Sequence, residues 1–123
     1  QDEIGWLAPE TMDFVAEYLG MPPVLVYEVA TFYAMYNLKQ IGRYKVTICT
    51  NLPCALQGAN AAAVHLKEKL GIDFGETTAD GRFTLSEVEC LASCGTAPMM
   101  QVNDEYYESL TEEKVDRILE GMK

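Results

Sequence analysis

Positive charge is scarce in this chain. Lysine and arginine together number 9 of 123 residues against 19 aspartates and glutamates, a formal net charge of −10. Such a surface repels nucleic acid and anionic lipid over most of its area, so neither is expected as a partner. Long apolar runs are also missing. None approaches the roughly 20 residues that a helix needs to cross a bilayer, and no basic stretch beside an apolar one suggests a signal peptide. No direct membrane insertion is therefore expected. No glycine-rich phosphate loop follows the first predicted strand, which removes the usual grounds for a dinucleotide site. Internal repeats and low-complexity tracts are absent too. Histidine occurs once, as His65, next to Lys67 and Glu68 on a predicted helix, where it reads as a surface residue.

Apolar side chains, by contrast, make up 49% of the residues, enough for a real core in one compact domain with a small appendage. A soluble protein in a reducing compartment is expected. Paired disulfides are uncommon there, so clustered cysteines point to metal ligation or redox chemistry.

The N-terminal part reads as helical. Met12, Val15, Ala16 and Leu19 recur on one helical face, with Pro9 to open the helix and Gly20 to close it. Met21-Pro22-Pro23 forces a break. Val24 to Tyr36 then reads as a second helix, apolar almost all round. One reading makes it a core helix wedged between the first helix and the rest; another has Phe32, Tyr33 or Tyr36 also touching a partner protein. Asn37 to Arg43, with Gly42, reads as a linker. This divides the chain into a helical region, residues 1–41, and a cysteine-bearing domain, residues 42–123.

In the second part, Tyr44 to Cys49 alternates as a strand. Pro53 suits the first turn of a helix that carries the stripe Ala55, Ala59, Ala62, Leu66, Leu70 and stops at Gly71. Cys54 is then expected at a helix N-terminus, where the dipole would favour a thiolate. Asp80-Gly81 turns the chain into a strand from Arg82 to Leu85. Between Leu85 and Val88 the apolar phase slips, which predicts a bulge or strand end that re-aims Cys90. Gly95 is expected to take a positive φ and turn N–H groups toward a negatively charged centre. A hairpin around Asn103-Asp104 and a helix capped by Thr111, with Val115, Ile118, Leu119 and Met122 inward, complete the order. Two parallel strands across a helical crossover, followed by an antiparallel hairpin, make an α/β arrangement of the thioredoxin-like type.

All four cysteines fall in two short stretches, Cys49-x4-Cys54 and Cys90-x3-Cys94, with 35 residues between them. Neither is the C-x2-C of a thioredoxin-type dithiol or of most zinc knuckles. C-x4-C recurs in [2Fe-2S] ferredoxins, and two loops at element ends can bring four soft thiolates together. The simplest assignment puts Cys49 and Cys54 on one iron and Cys90 and Cys94 on the other. A structural zinc site with the same ligands and a pair of local disulfides are the alternatives that spacing leaves open.

Taken in order, Gly5-Trp6-Leu7, Glu28-Val29-Ala30-Thr31-Phe32-Tyr33, Cys49 to Cys54, Asp80-Gly81-Arg82-Phe83-Thr84, Cys90 to Cys94 with Ala97-Pro98-Met99, and the last helix span nearly the whole chain. In these stretches the sequence resembles the E-type subunit of bacterial respiratory complex I (NADH:quinone oxidoreductase) and its mitochondrial counterpart. The resemblance implies a thioredoxin-like [2Fe-2S] ferredoxin domain behind a short N-terminal helical appendage, and one [2Fe-2S] cluster on Cys49, Cys54, Cys90 and Cys94. It does not imply thiol-disulfide activity. It further implies a flavoprotein partner that binds NADH and FMN, a place in a larger respiratory complex, and a cytoplasmic location, peripheral on the inner face of the bacterial inner membrane or on the matrix side of a mitochondrion. Similar modules occur in NAD-linked hydrogenases and formate dehydrogenases. Two departures stand out: Ala92-Ser93 replaces a frequent Gly-Ala, and the helix that usually opens such subunits is absent before Gln1, which suggests that some docking surface is missing.

Overall fold

The computed structural model describes residues 1–122. The chain divides into two compact units, Gln1–Ile41 and Gly42–Lys123.

In the first unit, α1 (Pro9–Leu19) opens on a proline whose missing N–H costs nothing there and buries Met12 and Ala16, four residues apart. Gly20 closes it in the left-handed conformation, φ 66°, with its N–H on the last carbonyls. The second helix, α2 (Pro23–Phe32), stops before the predicted Tyr36. Its last residues, Thr31 and Phe32, are poor helix formers, and the Thr31 hydroxyl bonds back to the Tyr27 carbonyl at 2.7 Å. Tyr33 is already extended. The core-helix reading of this segment is overturned: within α2 only Ala30 is buried, and Phe32 is 80% exposed. Asn37 ties the unit's ends together, its N–H donating to Gln1 Oε1 and its side-chain amide to the Gly5 carbonyl.

The second unit is a four-stranded sheet with helices. Its elements are β1 (Tyr44–Cys49), α3 (Leu52–Leu56), α4 (Ala59–Leu70), β2 (Phe83–Val88), β3 (Met100–Val102), β4 (Glu105–Tyr107) and α5 (Glu112–Gly121), with a one-turn 3-10 helix at Cys94–Thr96. The spatial order is β2-β1-β3-β4. Strand β1 pairs in parallel with β2 from Tyr44 opposite Phe83 to Cys49 opposite Val88, and antiparallel with β3. This is the topology that the sequence pattern predicted. Val46, Ile48, Phe83, Leu85 and Met100 from the sheet pack with Leu66 of α4 and Val115 and Leu119 of α5.

Two expectations fail in detail. The helix predicted from Pro53 to Leu70 is broken at Gln57-Gly58, because Gly58 adopts φ 98°. Of the bulge or strand end expected after Leu85, the bulge is absent, for β2 keeps an unbroken parallel register to Val88, and the strand ends there, two residues before Cys90. Phe83, Thr84 and Leu85 are buried in succession, as happens when both faces of a strand are covered, so apolar alternation gives no guide there.

Candidate metal centre

The parallel register decides where the cysteines go. Because Cys49 lies opposite Val88, β1 and β2 end side by side, and the turns leaving them start from the same end of the sheet. Cys49 is the last residue of β1, and its Sγ lies 3.9 Å from the carbonyl of Glu89, the neighbour of Cys90. Cys54 is the third residue of α3, whose start is fixed by Asn51 Oδ1 accepting from the Leu52 N–H at 2.7 Å. Cys49 and Cys54 are buried with Ala59, Leu91 and Met99. Cys90 and Cys94 are exposed, and all four cysteines are free thiols.

Cys54 is only 1% exposed, and its thiol is pushed up to about 11 by burial first, then by a hydrogen bond with Cys49 and the charges of Cys49, Cys94 and Cys90. The expected lowering by a helix N-terminus is thus overturned. A five-residue helix has little dipole to offer, and loss of hydration works against the charged form. Among the described residues, no group of three or more His, Cys, Asp or Glu side chains is arranged to hold a metal ion.

The second turn differs from expectation in its backbone. The left-handed residue is Ala92, φ 57°, rather than Gly95. Ala92 turns its N–H onto Cys90 Sγ at 3.2 Å, the role predicted for Gly95. Two side chains that the sequence did not single out also touch this turn. Tyr106 donates its hydroxyl to the Leu91 carbonyl, and Glu108 accepts from Ser93 and Thr96. Those two hydroxyls, Ser93 first, hold the Glu108 carboxyl below its usual range. The hairpin signal at Asn103-Asp104 could have found both, since it folds residues 105–108 back along the chain. His65, read as a surface residue, is half-buried, with Nε2 2.9 Å from Asp116 Oδ1, a tie between α4 and α5.

Comparison with known proteins settles the family. The model of the thioredoxin-like [2Fe-2S] ferredoxins matches residues 1–123. The chain belongs to the thioredoxin-like [2Fe-2S] ferredoxin family. Among curated members, the E-type subunit of the NADH-quinone oxidoreductase of Rickettsia felis is 49% identical over 116 residues, 94% of this chain and 70% of that one. In fold, this ferredoxin is similar to part of an NAD+-reducing [NiFe]-hydrogenase, with TM-score 0.80 and 21% identity over 92% of this chain and 20% of that one. It is also similar to the thioredoxin-like [2Fe-2S] ferredoxin of Aquifex aeolicus, with TM-score 0.53 and 20% identity over 64% of this chain and 84% of that one. Membership together with the Rickettsia relatives makes this ferredoxin an electron-transfer subunit of the NADH-quinone oxidoreductase family.

Proposed function

We propose that Cys49, Cys54, Cys90 and Cys94 hold one [2Fe-2S] cluster, the first pair on one iron and the second on the other. On this reading the chain exchanges single electrons with the FMN of an NADH-binding partner protein. The observation that carries it is the level ending of β1 and β2, with Cys49 opposite Val88 and its Sγ 3.9 Å from the Glu89 carbonyl, so that both cysteine-bearing turns leave one end of the sheet. A four-thiolate donor set suits iron–sulfur chemistry.

When bound, the cluster supplies one-electron redox chemistry, which lets a two-electron hydride donor be coupled to one-electron carriers. The residues divide the remaining work. Cys49 and Cys54, packed among Ala59, Leu91 and Met99, keep water from one side. Cys90 and Cys94 lie on the exposed side, which leaves that side open to a redox partner. The Ala92 N–H steadies charge on Cys90 Sγ. The net charge of −10 opposes uptake of an electron, so the midpoint potential is expected to be low.

The setting is a larger respiratory assembly, peripheral on the inner face of the bacterial inner membrane. No helix of the described residues is long and apolar enough to cross a membrane. The stacked, exposed rings of Phe14 and Tyr18 on α1 support a chain that lies against other proteins of that assembly, since aromatic side chains are enriched at interfaces. Chain purified without oxygen is expected to be brown, to contain iron and acid-labile sulfide in equal amounts, and to give an S = 1/2 EPR signal on reduction. Cys94→Ser should weaken or abolish that signal while leaving most of the fold. Colourless protein holding zinc would reject the reading.

A further inference from the structure

We infer that Tyr106 and Glu108 form a strap across the Cys90–Cys94 turn and act as positioning residues for the cluster, an inference that rests on the ligand assignment just proposed. The strap comes from the far edge of the sheet. Pairing of Val102 with Glu105, Gln101 with Tyr106 and Met100 with Tyr107 folds the chain back so that residues beyond β4 run alongside the turn. The Tyr106 hydroxyl donates to the Leu91 carbonyl at 3.0 Å. Glu108 Oε1 accepts from Ser93 Oγ at 2.7 Å and from Thr96 Oγ1 at 2.8 Å, and the two hydroxyls stand 2.8 Å apart. Backbone bonds continue the strap, from the Ser109 N–H to the Thr96 carbonyl at 2.7 Å and from the Leu110 N–H to the Pro98 carbonyl at 2.9 Å. On the other side, Lys114 Nζ donates to the Glu108 carbonyl.

These contacts grip the turn on both sides of Cys94. Leu91 is buried with Cys49, Cys54 and Met99, so fixing its carbonyl fixes the second turn against the first. Ser93 immediately precedes Cys94, and Thr96 follows it by two residues. Partners of this kind orient the ligands and govern how firmly a metal is kept. Glu108 has a second effect, because a carboxylate held beside a ligand turn puts fixed negative charge near the place an added electron would occupy. That charge opposes reduction.

The two effects separate by substitution. In Glu108→Gln the side-chain carbonyl can still accept from both hydroxyls while the charge is gone, so the midpoint potential of the iron-loaded chain should move upward with cluster retention near wild type. Glu108→Ala and Tyr106→Phe remove grip, and the visible absorption of the loaded chain should bleach about tenfold faster under a chelator. An unmoved midpoint in Glu108→Gln, or bleaching of Glu108→Ala and Tyr106→Phe at the wild-type rate, would overturn the strap. If Glu108→Ala fails to fold, Tyr106→Phe and Glu108→Gln still decide. Wild-type chain that takes up no iron would instead reject the ligand assignment itself.

Discussion

At the scale of single residues, Cys54 carries the sharpest consequence. Burial, the Cys49 hydrogen bond and the neighbouring thiolates raise its thiol from the ordinary 9.0 to about 11. In the unfolded chain the same thiol ionises near the lower value. Between the two values the unfolded chain has given up a proton that the folded chain keeps, so stability falls as pH rises through that window and is intact below it. The denaturant midpoint of the metal-free chain should therefore be level at neutral pH and decline across pH 9 to 11. Cys54→Ser, which cannot ionise there, should flatten the decline; a wild-type midpoint that stays level would contradict the assignment of burial as the cause. The cysteines were legible because residue type and spacing are local facts, and each lies in a stretch whose pattern marks an element end. Their environment was not, since burial of Cys54 depends on Leu91 and Met99, which arrive from distant sequence. Ala92 was illegible for a related reason. A non-glycine residue at φ 57° is imposed by the surrounding fold against its own preference, whereas Gly95 carries the local signal for such a turn.

Among the elements, β1 depends on a close approach at its start. Gly42 donates its N–H to Thr84 Oγ1 at 2.7 Å, and a Cβ there would stand 2.9 Å from both the Arg82 carbonyl carbon and the Gly81 carbonyl oxygen. Those are backbone atoms and cannot swing aside. Gly42→Ala should cost about 1–3 kcal/mol by overpacking, seen as a lowered thermal midpoint in far-UV circular dichroism. An unchanged midpoint would mean that the β1–β2 join can shift freely. Most elements were readable from periodicity and punctuation, as with Pro9 and Gly20 around α1 or Thr111, whose Oγ1 caps α5 by accepting from the Lys114 N–H at 3.2 Å. The misreadings share a cause. Gly58 lay inside an unbroken apolar stripe, and the stripe outweighed it. Leu85 to Val88 broke alternation because both faces of β2 are covered over its buried half. In α2 an apolar composition leaves burial against the chain and contact with a partner equally open, and Val24, Val29 and Phe32 are exposed. The hairpin around Asn103-Asp104 is legible through Glu108, whereas the contacts that Tyr106 and Glu108 make with the Cys90–Cys94 turn depend on tertiary placement.

For the molecule as a whole, charge is the dominant global term. Nineteen acidic residues against nine basic ones repel each other more strongly in the compact state than in the expanded one. Salt shortens the reach of that repulsion to about 8 Å at physiological ionic strength. The thermal midpoint of the metal-free chain should therefore rise with added salt, and a midpoint that falls would show that local ion pairs such as Lys67 with Asp73 outweigh the net charge. The family and the architecture were legible at this scale because the motifs run in order along the whole sequence. The placement of β1 and β2 abreast, finishing level, bears on the history of such chains as well as on their chemistry. Extra residues spliced into an exposed turn of the return path, clear of Ile72 and Phe74 on the core and of Gly75 to Thr78 along β2, would lengthen the detour without moving its destination. A lineage can thus lengthen or decorate that stretch while the two sulfur turns keep their rendezvous.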